Sequence, residues 1–260
     1  MKGNKRFLFI EICVFRVLPA IILLSTSCGA ACCQNMICII DFYTDPQMLA
    51  LIKAAEDNDI DKLKYLINEG VDPNTVGKEG MTPLFWALGH QNKKAMVALL
   101  TAGANPNLKN SDGDSPMAMA SGAKDIELMK ILLDRGGDPN IKNSLGKPAL
   151  HVAIGQMRIE NIKMLLDYGA DINAKDRSGI PPVMYASHFN QYKIIAMLLE
   201  RGADHTIKTK GGVPLAWIVQ KRKVNPASEG YIWREKVIKM LEDRGVKFPV
   251  SHPSEIQKPV

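Results

Sequence analysis

Five separate residue columns recur along this chain with one period of 33 residues, and no other feature restricts its folding as much. Gly70, Gly103, Gly136, Gly169 and Gly202 form one column, and Gly80, Gly113, Gly146, Gly179 and Gly212 a second. Ala54, Ala87, Ala120, Ala153 and Ala186 form a third, and Asn74, Asn107, Asn140 and Asn173 a fourth. The fifth is the apolar pair Leu66-Ile67, Leu99-Leu100, Leu132-Leu133, Leu165-Leu166 and Leu198-Leu199. A fixed period of this length means one supersecondary unit repeated, each copy burying its apolar side against the next. Aromatics are only 6% of the 260 residues, which suits many small contacts between units.

Each column has a physical reading. The first glycine of a unit ends a helix in the left-handed region that other residues enter at a cost. The Asp or Asn that follows (Asp72, Asn105, Asp138, Asp171, Asp204) bonds nearby backbone and suits a turn. Thr82-Pro83 places a capping hydroxyl and a proline at a helix start, where the missing N–H costs nothing. The alanines let neighbouring helices approach closely, and the apolar pairs bury the second helix of each unit.

Thr82-Pro83-Leu84 and Gly103-Ala104-Asn105-Pro106-Asn107 follow the pattern of the ankyrin repeat, and the chain resembles that family over residues 46–247. The other units drift from it, as in Ser115-Pro116-Met117, Pro148-Ala149-Leu150-His151 and Pro181-Pro182-Val183. The resemblance implies an all-α repeat solenoid of stacked helix pairs with protruding turns. Six pairs are expected: an atypical first one over 46–69, four regular units from 80, 113, 146 and 179, and a last from 212 to about 244. The last turn reads as one residue short, because Pro214-Leu215-Ala216-Trp217 matches Pro83-Leu84-Phe85-Trp86 only with a deletion. Gly245 lies 43 residues after Gly202, so Lys221 to Gly230 reads as a ten-residue inserted loop. Residues 248–260, with three prolines, read as a frayed tail. With helix axes roughly 8–10 Å apart, six pairs span about 50 Å and present an inner face without a closed cavity.

The front of the chain is different. Lys2, Lys5 and Arg6 precede the apolar run Val17–Leu24, and Ser25-Thr26-Ser27-Cys28 follows. That run is too short to span a hydrocarbon core of roughly 30 Å, and extending it would place Glu11 and Arg16 inside at roughly 2.5–3.5 kcal/mol each. Residues 1–27 therefore read as an export signal. The segment resembles a bacterial lipoprotein signal with Cys28 as the lipid-bearing residue, although Ser25 stands where that pattern has a large apolar residue. Cys32, or ordinary cleavage and secretion, is the other reading, and an uncleaved anchor a third. The resemblance, with Gly29 after the cysteine, implies a periplasmic protein held at the outer membrane of a Gram-negative bacterium, with residues 28–45 as a tether.

Chemistry is sparse in the rest. Apolar residues at 46% and charged at 23% fit a folded domain, not a disordered chain or a multi-span membrane protein. All five cysteines (13, 28, 32, 33, 38) lie at the front, so residues 39–260 contain no internal disulfide or thiolate metal site. His90, His151, His188, His205 and His252 have no metal-ligand spacing, and no phosphate-binding glycine loop is present. His151 falls at the family's usual histidine, for which a structural hydrogen bond is expected. Ser121 and Ser187 have no evident base, and Asp57, Asp59 and Asp61 read as favouring a helix start. The expectation is no enzyme, no cofactor, no metal and no small-molecule substrate. The formal charge of +6 is partly a property of the first 27 residues and does not make a nucleic-acid footprint.

Binding residues are expected on the inner helices and the turn tips. The position before each helical alanine reads Lys53, Trp86, Met119, Val152, Tyr185, Trp217, and one turn on the column reads His90, Ala123, Gln156, Phe189. Trp, Tyr and Met are enriched at interface centres. Trp86, Met119, Tyr185, Trp217, His90 and Phe189 are the candidates, with Trp86 and Tyr185 foremost. The tips carry the ladder Lys109, Lys142, Lys175, Lys208, usual for the family, and the less ordinary Lys78, Asn110, Asn143, Arg177 and Lys210. Together with the export signal this implies one protein partner. The plan is similar to ankyrin-repeat lipoproteins that act as immunity proteins against toxins such as type VI secretion phospholipases; a stabilising partner for a periplasmic enzyme such as a catalase is the alternative.

Overall fold

A computed structural model describes residues 45–252. The export signal, Cys28, Cys32 and the tether up to residue 44 lie outside the described residues. The chain divides after Asp112 into two compact units.

In the first unit, described from Asp45, four helices form two pairs: α1 (Pro46–Glu56) with α2 (Ile60–Asn68), and α3 (Pro83–Gly89) with α4 (Lys93–Thr101). First helix packs on first helix and second on second. Asp59, Thr82 and Asn92 cap their helices by accepting from the backbone N–H of Lys62, Phe85 and Ala95. Asp57 is not at a helix start, as the sequence reading has it. It closes α1 and pairs with Lys53 one turn earlier at 3.2 Å, while Asp59 and Asp61 do begin α2. Gly80 shows why a glycine recurs at its position. Its φ is +74°, and a Cβ there would lie 2.3 Å from the Ser111 nitrogen in the next turn.

The second unit holds α5 (Pro116–Ala120), α6 (Ile126–Leu133), α7 (Ala149–Gly155), α8 (Ile159–Asp167), α9 (Pro182–His188), α10 (Tyr192–Glu200), α11 (Leu215–Lys221) and α12 (Glu229–Glu242). The first helices α5, α7, α9 and α11 pack in sequence against one another. Leu132, Leu150, Ile154, Leu165, Leu198 and Leu199 are buried between the layers. The asparagine column brackets neighbouring turns. Asn140 donates to the Gly169 carbonyl (3.3 Å) and accepts from the Asp171 N–H (2.7 Å); Asn173 accepts from the Asp204 N–H at 3.0 Å. Among the described residues the fold is twelve α-helices without a strand, an all-α ankyrin-type solenoid. None of these helices is long and apolar enough to cross a membrane.

Three expectations are corrected. The last turn is not short: Thr82, Ser115, Pro148, Pro181 and Pro214 all stand at the residue before a first helix, each 33 apart. The bridges Lys142 to Pro148 and Lys208 to Pro214 keep the same register. The resemblance of Pro214–Trp217 to Pro83–Trp86 is therefore one of composition, displaced by one residue. Next, the insertion is only partly a loop. Lys221 ends α11 and Gly230 lies inside α12, so only Arg222–Ser228 is irregular, and α12 itself has 14 residues where α10 has 9. Finally, the tail is not frayed as far as His252. Val250 donates to Gln220 at 2.7 Å and accepts from it at 3.2 Å, and the His252 ring lies 4.7 Å from Trp217.

Candidate protein-binding face

In the first unit, Trp86 does not offer its ring to a partner. It is 7% exposed, and its Nε1 donates to the Glu56 carboxylate at 2.9 Å, tying α3 to the end of α1. Large flat rings bury well between closely packed helices once the indole N–H has an acceptor. His90 is exposed, stacks on Trp86 at 4.8 Å and donates through Nδ1 to the Trp86 carbonyl at 2.9 Å. A carbonyl only accepts, so the proton is on Nδ1. Lys78 is exposed at its turn, and Asn110 is half-buried beside Gly80.

In the second unit, α9 and α7 build the most developed group. Tyr185 is half-buried; its hydroxyl accepts from Lys147 Nζ at 3.0 Å, and the same ammonium lies 5.1 Å from the ring centre. Its ring meets His151 at 5.1 Å and the edge of Phe189 at 5.3 Å. Gly155 makes room, because a Cβ there would sit 3.3 Å from the Tyr185 oxygen. Phe189 is 54% exposed and so is a braced apolar side chain in solvent. Behind it, His151 Nε2 donates to the Ile180 carbonyl at 2.8 Å, fixing the turn that precedes α9. Burial holds the His151 imidazole below the ordinary histidine value, although the Ile180 bond and the Asp176 charge favour its charged form.

The other candidates fall in different settings. Met119 is half-buried on α5. Asn143 spends its side-chain oxygen on its own turn, accepting from the Leu145 and Lys147 N–H groups at 3.1 and 3.0 Å. Arg177 and Lys210 are exposed, with their stems lying over Gly146 and Gly179 of the preceding turns. Trp217 is not in the column of Trp86 and Tyr185. With the register unbroken it stands in the column of His151, its ring covered by His252, and Ile218 takes the position first given to it. One neighbour of Tyr185 carries no signal in the sequence, the lone turn lysine Lys147, whereas His151 makes the structural hydrogen bond expected of it. Met157 also carries no signal in the sequence; it is 66% exposed with φ 54°, in a column where Asn58, Gln91 and Asn190 share the positive φ and Lys124 does not.

No nucleophile is paired with a base in this group. Ser121 and Ser187 bond the carbonyls of Ala118 (2.6 Å) and Met184 (2.7 Å) in their own helices. Among the described residues no set of three His, Cys, Asp or Glu is placed to hold a metal ion. The arrangement is a scaffold that displays side chains on repeated helix pairs, as an interaction protein does.

Comparison with known proteins agrees. The family described as ankyrin repeats (three copies) matches residues 22–110, 90–176 and 116–209, and the chain belongs to this family. Two solved structures are similar to it. One is the ankyrin repeat protein EF0377: 28% identity, TM-score 0.61, covering 75% of this chain and 97% of that one. Another is an ankyrin repeat domain, ABAYE2397, from Acinetobacter baumannii AYE: 25% identity, TM-score 0.64, covering 76% and 98%. No curated protein shows significant similarity. Ankyrin repeats generally mediate protein–protein interaction and are typically not enzymes.

Proposed function

We propose that this chain is an exported, lipid-anchored ankyrin-repeat protein that neutralises a protein toxin, such as a type VI secretion phospholipase, in the periplasm. The Phe189 side chain carries the binding half of the reading. It is exposed and braced by the Tyr185 ring, whose hydroxyl in turn accepts from the Lys147 ammonium. Rigid aromatic anchors of this kind supply interface energy at small entropic cost. The basic-apolar-Cys28 order of the first 28 residues supports export and anchoring. A tether on the membrane keeps the binder where an incoming toxin acts.

The test has three parts. Mass spectrometry of the mature protein should find an acylated Cys28. Affinity capture from periplasm should recover one toxin-like partner whose binding falls at least tenfold with Phe189→Ala. A deletion strain should die in contact with sister cells. Survival of that strain together with new peroxide sensitivity would instead favour the catalase-supporting role.

A further inference from the structure

His151 and Trp217 occupy the same position of their repeats, 66 residues apart. His151 finds an acceptor in the hairpin that follows it, the Ile180 carbonyl at 2.8 Å. Trp217 does not. Its Nε1–H is buried and has no acceptor among the described residues. Residues 248–252 run beside that tryptophan, with the His252 ring 4.7 Å from the indole. The Gln220 side-chain amide bonds both main-chain groups of Val250, donating to its carbonyl and accepting from its N–H. One amide holding the N–H and C=O of a single residue recognises extended backbone and is indifferent to the side chain. His252 lies over the Trp217 ring.

The same segment lines a cleft with Lys208, Gly212, Pro214 and Lys247. Neither Lys208 nor Lys247 forms an ion pair with a described acid. Phe248–His252 contains no carboxylate to offer them. Among the described residues, the segment thus satisfies the backbone-reading amide and leaves two cations and one buried donor unmatched. A segment with carboxylates would match all three, and polar groups left unmatched are what a better occupant gains from.

We propose that this end of the second unit is a docking slot for an extended acidic segment of a partner protein, and that residues 248–252 are its resident, weaker occupant. The incoming strand replaces Val250 at Gln220, places carboxylates at Lys208 and Lys247, and gives Trp217 Nε1 an acceptor. The slot does not depend on the Tyr185–Phe189 face, so each can fail alone.

The probe is an acetylated, amidated Glu-Val-Glu-Leu-Glu peptide, with its Lys-Val-Lys-Leu-Lys counterpart as control, added to the full chain. Amide hydrogen exchange at Val250 is expected to rise with the acidic peptide and stay constant with the basic one. Val250→Pro, which removes the N–H bound by Gln220, should tighten the acidic peptide at least tenfold, and Gln220→Leu should weaken it at least tenfold. Lys208→Glu should move the preference toward the basic peptide. Unchanged exchange at Val250 with millimolar acidic peptide, or the same response to both peptides, would show that the segment is a fixed cap and overturn the proposal. Should Val250→Pro unfold the chain, the exchange measurement on the unaltered protein decides alone.

Discussion

The imidazole of His151 and the carbonyl of Ile180 stand 2.8 Å apart, and that bond ties helix α7 to the turn that launches α9. The other ring nitrogen, Nδ1, is buried without a partner. The ring therefore fits this place as the neutral tautomer with its proton on Nε2, and a second proton on Nδ1 would be a buried, unmatched charge.

A pH dependence of stability follows from that geometry. The folded-state value of His151 is depressed, chiefly by burial. Above about pH 6.5 both folded and unfolded chains hold the ring neutral, and it adds no slope. Below that value the unfolded chain takes up a proton that the folded chain resists, so stability falls with pH until the folded-state value is passed. Urea unfolding between pH 7.5 and 5 should show this decline, and His151→Gln, which keeps a donor for Ile180, should flatten it. An unchanged slope in that variant would assign the effect to other groups.

Gly80→Ala should destabilise the first unit well beyond the cost of an ordinary glycine replacement. The added carbon meets backbone at 2.3 Å, from Ser111, and the residue sits at φ +74°. A loss of about 2 kcal/mol or more is expected, from strain at a left-handed position together with displacement of the next turn. Gly70→Ala is the control. It has positive φ but no atom within 4 Å of the new carbon, and should cost about 1 kcal/mol.

Asn140→Ala should loosen the joint between two turns. It deletes a donor to Gly169 and an acceptor for the Asp171 N–H. Two net hydrogen bonds at about 1 kcal/mol each set the scale of the loss. Asn140→Asp keeps the acceptor alone and should lose less. Hydrogen exchange at the Asp171 amide reads the effect locally, which suits a repeat protein whose unfolding need not be all-or-none.

Substitutions at the aromatic residues should separate binding from stability. Phe189→Ala removes a ring that is mostly in solvent, so the melting temperature should hardly move while partner binding falls. Trp86→Ala does the reverse: it empties a buried site and leaves Glu56 without its indole donor, for a loss of about 3–5 kcal/mol. Thermal melts and titration against the captured partner check both.

The repeat period, the helix-pair architecture and the glycine and asparagine columns were legible in the sequence because each answers to local geometry. Gly80 must accept a positive φ, and Asn140 sits where its amide reaches the next turn, so the same letter returns every 33 residues. Which rings face a partner was not legible. Trp86 and Tyr185 share a column, yet one is sealed by Glu56 thirty residues earlier while the other rises past Gly155 toward Lys147. Trp217 was placed in their company by its tetrapeptide, and only the unbroken run of residues preceding the first helices set it in the His151 column. The closing segment at Gln220 had no signal at all, since an amide that holds backbone leaves no mark on the sequence it holds. Local conformational demands are written residue by residue. Exposure and pairing are settled by neighbours about thirty positions away, after the helices have packed.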